Sequence, residues 1–354
     1  MKKSEDIEIL QVITALDVGG AERVVLELSN GLEENTKSVG IVHLLNQTKI
    51  LEQYDTLSYP IFNLMINRKF FLSFIWGLFK LNKIVRENKV KIIHAHMFHA
   101  LLFTIIIKIF NPKIKLVFTS HNFKGFNSIR KLIIKVTKKI RNIDVVFSEN
   151  QHIDINAKKT LIIPNGVKER KNKIYKNKIN KKFIFINVAS LTEQKNHLLL
   201  INEFYKLKDS NAELWILGDG ILKEDIVNQI SKFDLSSKVK LLGIQENINY
   251  YLEQADCFVL SSKWEGLPMA LLEAAMVGLP VISTPVGAVP ELLENNRGYI
   301  ATRENLSTVM EHVLNHPEEA HTRALNLQQW VKSHYSAQSM VNKHEILYKE
   351  LCKC

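Results

Sequence analysis

Residues 257–284 read CFVLSSKWEGLPMALLEAAMVGLPVIST, and their reading decides the fold. Cys257 to Ser261 is an apolar run of strand length. Gly266 and Pro268 then punctuate the chain and open a helix running through Glu273. Pro280 to Thr284 is apolar and strand-like again. Strand, helix and strand in one short stretch make a βαβ unit, whose two strands lie parallel.

The alternation extends outward from there. Upstream lie FIFINVAS (Phe183 to Ser190), ELWILG (Glu213 to Gly218) and VKLLG (Val239 to Gly243), each of strand length. Further upstream, KERKNKIYKNKINKK (Lys168 to Lys182) carries eight Lys/Arg in fifteen residues and almost nothing apolar, as a solvated linker does. Before it the alternation appears once more. IEILQVITAL (Ile7 to Leu16) reads as a buried first strand, and AERVVLELSNGL (Ala21 to Leu32) places Val24, Val25, Leu28 and Leu32 at helical spacing. Further strands are expected at Ser38–Leu44, Lys91–His96, Lys115–Ser120, Asp144–Ser148 and Leu161–Pro164. The expected fold class is therefore α/β, with two doubly wound, Rossmann-like domains. Ligands of such sheets sit at the carboxyl ends of the strands, which puts the expected site in a cleft between the two. The expected domains are 1–168, a linker at 169–182, a second domain at 183–330, and a C-terminal helical segment at 331–354 that crosses back to the first domain.

A length of 354 residues agrees with two domains, and 46% hydrophobic with 23% charged residues excludes a disordered or fibrous chain. Cys257, Cys352 and Cys354 are too few for a disulfide framework, which fits a reducing cytoplasm. Lys2 and Lys3 are followed at once by Glu5, Asp6 and Glu8, where an export signal needs an apolar stretch. The most apolar runs, Phe70–Phe79 and Phe98–Phe110, are too short to span a bilayer, and Lys108 interrupts the second. Charge is uneven. Residues 1–180 hold 30 Lys/Arg and 15 Asp/Glu, net +15; residues 181–354 hold 17 and 21, net −4, which together give the +11 of the chain. The first domain is thus expected to meet something anionic. Nucleic acid is not the expected partner, because no basic-aromatic motif accompanies the charge.

The chemistry concentrates around Glu265 and Glu273. A helix N-terminus after a strand favours an anion. Met269, Leu271, Leu272, Ala274, Ala275, Met276 and Val277 make the helix apolar almost all round, so Glu273 is expected to be buried with a partner. Eight residues of helix span about 12 Å. That exceeds the gap of about 5 to 9.5 Å in a glycosidase carboxylate pair. It suits instead a ligand whose two polyol ends flank a diphosphate.

EGLPMALLE (Glu265 to Glu273) resembles the E-x7-E motif of retaining glycosyltransferases of family 4, which have the GT-B fold. DVGGAER (Asp17 to Arg23), HAHMFHA (His94 to Ala100), TSHN (Thr119 to Asn122), FSEN (Phe147 to Asn150) and IPNGV (Ile163 to Val167) resemble the family's N-terminal domain. VASLTEQKNH (Val188 to His197) and LGDGILKEDI (Leu217 to Ile226) resemble its nucleotide-binding domain. The resemblance implies transfer of a sugar from a nucleotide-diphosphate sugar, a UDP-sugar by preference, to a hydroxyl of a lipid-linked glycan in bacterial envelope polysaccharide synthesis. Glu273 would accept from the ribose hydroxyls. Glu265 would face the transferred sugar, with backbone N–H groups of Gly266 and Leu267 beside it. Lys195 would neutralise the leaving diphosphate. His121, just past a strand end, would lie near the reacting oxygens. Gly218 and Gly220 would flank base and ribose, Gly19 and Gly20 would approach the donor, and Gly20, His96 and His99 the acceptor. The GG pair reads equally well as a plain tight turn. Where the family usually has an arginine this chain has Ser190, at the expense of one phosphate contact. That departure motivates the alternative of a catalytically weak, nucleotide-sugar-binding partner subunit.

No cofactor and no metal are expected. No Asp-x-Asp triplet occurs, and His94 with His96 lacks a third ligand at zinc spacing. Finally, KGFNSIRKLIIKVTKKIRN (Lys124 to Asn142) repeats Ile129, Leu132, Ile133, Val136 and Ile140 at helical spacing among Arg130, Lys131, Lys135, Lys138, Lys139 and Arg141. Phe70, Phe71, Phe74, Ile75 and Trp76 lie beside Arg68, Lys69 and Lys80. Both patterns suit an anionic surface, so a peripheral position on the inner face of the cell membrane is expected.

Overall fold

The computed structural model describes residues 6–17, 19–35, 38–53, 57–67, 71–121, 127–149, 151, 159–169 and 182–353. The expected linker, and with it Val18, Arg68, Lys69, Phe70, Asn122, Lys124 and Asn150, lies outside the described residues except at its ends. The chain divides into two compact units, Met1–Gly166 with Ala337–Cys354, and Val167–Ser336.

The first unit runs β1 (Ile9–Ile13), α1 (Gly20–Glu34), β2 (Val39–His43), β3 (Ile61–Asn63), α2 (Phe71–Glu87), β4 (Ile92–His96), α3 (Met97–Phe110), β5 (Lys115–Thr119), α4 (Ser128–Val136), β6 (Ile143–Val146) and β7 (Thr160–Ile162). Its strands form one sheet in the order β3-β2-β1-β4-β5-β6-β7, with every pair parallel. β1, β2, β4 and β6 are buried along their whole length, which is why they read as continuous apolar runs. The second unit runs β8 (Phe183–Val188), α5 (His197–Tyr205), β9 (Ala212–Leu217), α6 (Lys223–Lys232), β10 (Val239–Gly243), α7 (Ile248–Gln254), β11 (Cys257–Leu260), α8 (Met269–Met276), β12 (Val281–Ser283), α9 (Val289–Leu293), β13 (Tyr299–Ile300), α10 (Leu306–Asn315) and α11 (Pro317–His334). Its sheet has the order β10-β9-β8-β11-β12-β13, again all parallel. In each sheet the order reverses beside the first strand, between β1 and β4 and between β8 and β11. Loops there part to opposite faces and leave a crevice.

Four expectations shift in detail. β3 and β13 carry three and two residues, too short for a periodic signal. Helix α8 starts at Met269 rather than at Gly266. The stretch before it is held extended, because the Gly266 carbonyl accepts the amide of Ala288 at 2.9 Å and Pro268 has ψ 117°. The rise of a helix therefore does not measure the gap from Glu265 to Glu273. Helix α11 packs on α8, with Gln328 donating to the Met276 carbonyl at 2.8 Å, and so belongs to the second unit. The last helix, α12 (Ala337–Lys353), packs on α1 instead, where Val341 fills the space over Gly31. Finally, α4 stops at Val136, followed by a 3-10 turn at Thr137–Lys139. Ile134 is its buried residue, whereas Ile129, Leu132 and Val136 are 67%, 59% and 64% exposed. The apolar stripe seen in the sequence thus faces outward in this unit, and Ile133 and Ile140 alone of its members pack partly on the core.

Candidate functional site

The carboxyl ends of β1, β4 and β5 bring a file of polar side chains together in the first unit. β4 ends in His94 and His96, two residues apart and on one face. Their rings lie 4.1 Å apart, and both are fully buried. Gln11 of β1 and Thr119 of β5 flank them, and α12 lays His344 and Tyr348 over the same face. Such a set of polar groups survives burial only if bonded together. His94 joins Tyr348 at 2.6 Å and Thr119 at 2.7 Å, and His96 joins Gln11 at 2.7 Å and His121 at 3.2 Å. Burial, reinforced by the neighbouring imidazoles, holds His94 and His96 well below the ordinary histidine range. Burial pushes His121 down to about 3 and His344 to about 4. All four rings are therefore neutral at neutral pH. Among the described residues no group of three His, Cys, Asp or Glu is placed to hold a metal ion.

His121 is partly exposed, in ring contact with His96 and Phe147. Beside it Gln151 ties the ends of β5 and β6 together, accepting from the Phe147 amide at 2.7 Å and donating to the Ser120 carbonyl at 2.6 Å. His96 is 1% exposed with both ring nitrogens occupied, so it reaches a ligand only through His121. His99 is exposed on α3, its ring against Phe98. Gly19 and Gly20 form the N-cap and first residue of α1, and Gly20 is exposed. Glu22, which the sequence reading did not single out, folds back over Gly19, and burial raises its carboxyl to about 7. An acidic group at position N3 is the signature that marks it.

In the second unit, the loops after β8, β9 and β11 are laced into one platform. The Lys263 amide donates to the Gln194 carbonyl at 2.7 Å, and the Ser261 hydroxyl donates to the Lys195 carbonyl at 3.0 Å. On this platform the Lys195 ammonium lies 2.5 Å from the Glu265 carboxylate, with the two side chains 18% and 6% exposed. The Ser262 hydroxyl donates to the same carboxylate at 2.7 Å and the Gln194 amide at 3.2 Å. The two groups expected to meet sugar and diphosphate are thus adjacent, and they neutralise each other. Glu273 is 6% exposed within α8, Leu267 is 4% exposed, and Gly266 is partly exposed just before the helix.

Gly218 and Gly220 have a reason inside the protein. Gly218 has φ +139°, and a β-carbon there would lie 2.0 Å from the Ala189 carbonyl oxygen. One at Gly220 would lie 2.5 Å from the Leu191 carbonyl oxygen. The two glycines let the β9 loop press against the β8 loop that carries exposed Ser190. Lys263 adds a second ammonium to the platform, 2.8 Å from Glu193. Asn187 and His197 support it from below. His197 bonds to Asn187 at 3.0 Å, and burial with the Lys195 charge lowers it to about 4. The bonds of Gln194 to Glu265 and of Asn187 to the Val259 carbonyl carry no sequence signal, since the partners lie some 70 positions apart in the chain.

Residues 18–171 match the family model described as Glycosyltransferase Family 4, and residues 169–329 match the one described as Glycosyl transferases group 1. The chain is made of two glycosyltransferase domains. It is 34% identical over 239 residues to an uncharacterized glycosyltransferase, MJ1059, of Methanocaldococcus jannaschii, an alignment spanning 58% of each chain. It is 29% identical over 249 residues to UDP-Gal:alpha-D-GlcNAc-diphosphoundecaprenol alpha-1,3-galactosyltransferase of Escherichia coli, across 62% of this chain and 64% of that one. In each case the match covers less than two thirds of the relative. Anabaena Alr3699/HepE, solved with UDP and glucose, superposes with a TM-score of 0.85 at 17% identity, covering 97% of this glycosyltransferase chain and 100% of that one. The fold is that of GT-B glycosyltransferases, two parallel-sheet α/β domains.

Proposed function

We propose that this protein transfers a sugar, with retention at the anomeric carbon, from a UDP-sugar to a hydroxyl of a lipid-linked glycan in envelope polysaccharide synthesis. The observation that carries this reading is the Lys195–Glu265 pair at the carboxyl ends of β8 and β11. A donor diphosphate supplies Lys195 with a new anionic partner and frees the Glu265 carboxylate to accept from sugar hydroxyls. Both changes occur where leaving-group charge develops, so they favour the transition state over the bound ground state. Glu273 would hold the ribose, and His121 would accept from a substrate hydroxyl. No divalent metal is required, because Lys195, with Lys263 beside it, supplies positive charge. The complexes of HepE with UDP and the acceptor named for the E. coli relative support the donor and acceptor classes.

The position of the work would be the cytoplasmic face of the membrane. α2 exposes Phe71, Leu72, Trp76 and Phe79, and α4 exposes Ile129, Leu132 and Val136 together with Lys131 and Lys135. Arg130 rests on the Phe98 ring at 5.4 Å and Lys138 is half-buried, which leaves Lys131, Lys135 and Lys139 as the outer charges of this stretch. Each such lysine contributes about 1 kcal/mol near an anionic leaflet. No described helix is long and apolar enough to cross a membrane.

Purified protein incubated with a panel of nucleotide sugars should release UDP, and NMR of the product should show the donor's anomeric configuration. Absence of release from every donor, with nucleotide still bound, would favour the partner-subunit reading that Ser190 motivates. Flotation with anionic liposomes at low salt, and none with neutral ones, tests the membrane position.

A further inference from the structure

Six side chains of the first unit form one unbroken hydrogen-bonded file, and its direction has a consequence for His121. In order they are Thr119, His94, Tyr348, Gln11, His96 and His121, with successive separations of 2.7, 2.6, 3.3, 2.7 and 3.2 Å. Hydroxyls can both donate and accept, and a neutral imidazole has one N–H and one lone pair. Each of those members can therefore run in either sense. Gln11 alone has fixed polarity. Its Nε2 faces the Tyr348 hydroxyl and its Oε1 faces His96 Nε2.

The amide sets everything else. His96 must carry its proton on Nε2 to donate to the Gln11 carbonyl, so its Nδ1 is an acceptor. His121 must then donate to it from Nε2. On the other side, Tyr348 accepts from Gln11 and passes its own proton toward His94 Nδ1, and His94 donates from Nε2 to Thr119. Turning the amide over would reverse every bond and move the His121 proton to Nδ1.

We infer that Gln11 is a positioning residue: through His96 it locks His121 in the Nε2–H form, leaving the Nδ1 lone pair to accept a hydrogen bond from a sugar hydroxyl. The tautomer follows from the file alone. Its use in transfer rests on the reading of His121 given above. A locked ring meets a hydroxyl donor, whereas a mixed population would present an N–H to that hydroxyl half of the time. The hydroxyl class follows from the same logic, since a substrate carbonyl or phosphate oxygen finds no donor at Nδ1.

The test is nitrogen-15 NMR of histidine-labelled protein at pH 7.5, without substrate. His121 should show a protonated Nε2 and a bare Nδ1. Tyr348→Phe should leave that pattern in place, because the bond from His96 to Gln11 is untouched. Gln11→Leu should mix the two tautomers and lower kcat about tenfold at unchanged donor Kd. A wild-type His121 protonated on Nδ1 overturns the inference, whether or not Gln11→Leu folds. So does a folded Gln11→Leu protein with an unchanged tautomer. The expected tautomer in a protein that turns over no nucleotide sugar would leave the lock standing and reject the transferase reading instead. Tautomer mixing with unchanged kcat would reject the catalytic use of the lock.

Discussion

Replacing Lys195 by methionine removes the cation 2.5 Å from Glu265 while keeping most of the side-chain volume. The carboxylate is 6% exposed and keeps two donors, Ser262 at 2.7 Å and Gln194 at 3.2 Å. Breaking a fully buried pair costs about 3 to 5 kcal/mol, and an exposed pair contributes about 0 to 1. Lys195 is 18% exposed and the carboxylate stays hydrogen-bonded, so a loss of about 1 to 3 kcal/mol is expected at pH 8. Urea unfolding of both proteins at pH 8 measures it, and an unchanged unfolding free energy would refute the claim that Lys195 compensates a buried carboxylate. In the same variant, kcat should fall more than donor affinity, since the leaving-group charge is greatest in the transition state. Equal losses in both would reduce Lys195 to a ground-state phosphate contact.

Other outcomes follow from the same geometry. Glu273→Gln should weaken nucleotide binding by about 1.5 to 3 kcal/mol, by loss of a charged acceptor, and calorimetry with UDP reads this directly. Gly218→Ala should cost at least about 2 kcal/mol of stability and lower soluble yield, because φ +139° and the Ala189 carbonyl leave no room for a methyl group; an unaltered melting temperature would contradict that packing. The buried histidines make the first unit acid-sensitive. The unfolded chain takes up protons near pH 6.5 that the fold admits only near 4 at His344 and 3 at His121. Stability should therefore be full above about 6.5 and fall by up to about 1.4 kcal/mol per histidine per unit below it. A melting temperature flat from pH 7.5 to 5 would contradict the neutral, buried state. Transfer should also survive EDTA, and a loss restored by a divalent ion would overturn the metal-free reading.

The sequence by itself determined the two parallel sheets. Continuous apolar strands such as Ile9–Ile13 and Cys257–Leu260, separated by helical periods, leave little choice but a buried parallel sheet with helices on both faces. It also located the strand ends at which His121, Lys195 and Glu265 stand, because in each case an apolar run gives way to polar residues. The tertiary structure decided what those residues touch. The Lys195–Glu265 bond, with Ser262 and Gln194 around it, joins loops some 70 positions apart, and no local period encodes such a contact. The file from Thr119 to His121 needs three strands and a final helix, in which Tyr348 stands 254 residues from His94. The same holds for α4. Its apolar stripe is plain in the sequence, but whether Ile129, Leu132 and Val136 face the core depends on what lies beneath the helix, and here Ile134 occupies that place. Periodicity fixes which residues share a face, whereas burial of that face is set by neighbours that only the folded chain supplies.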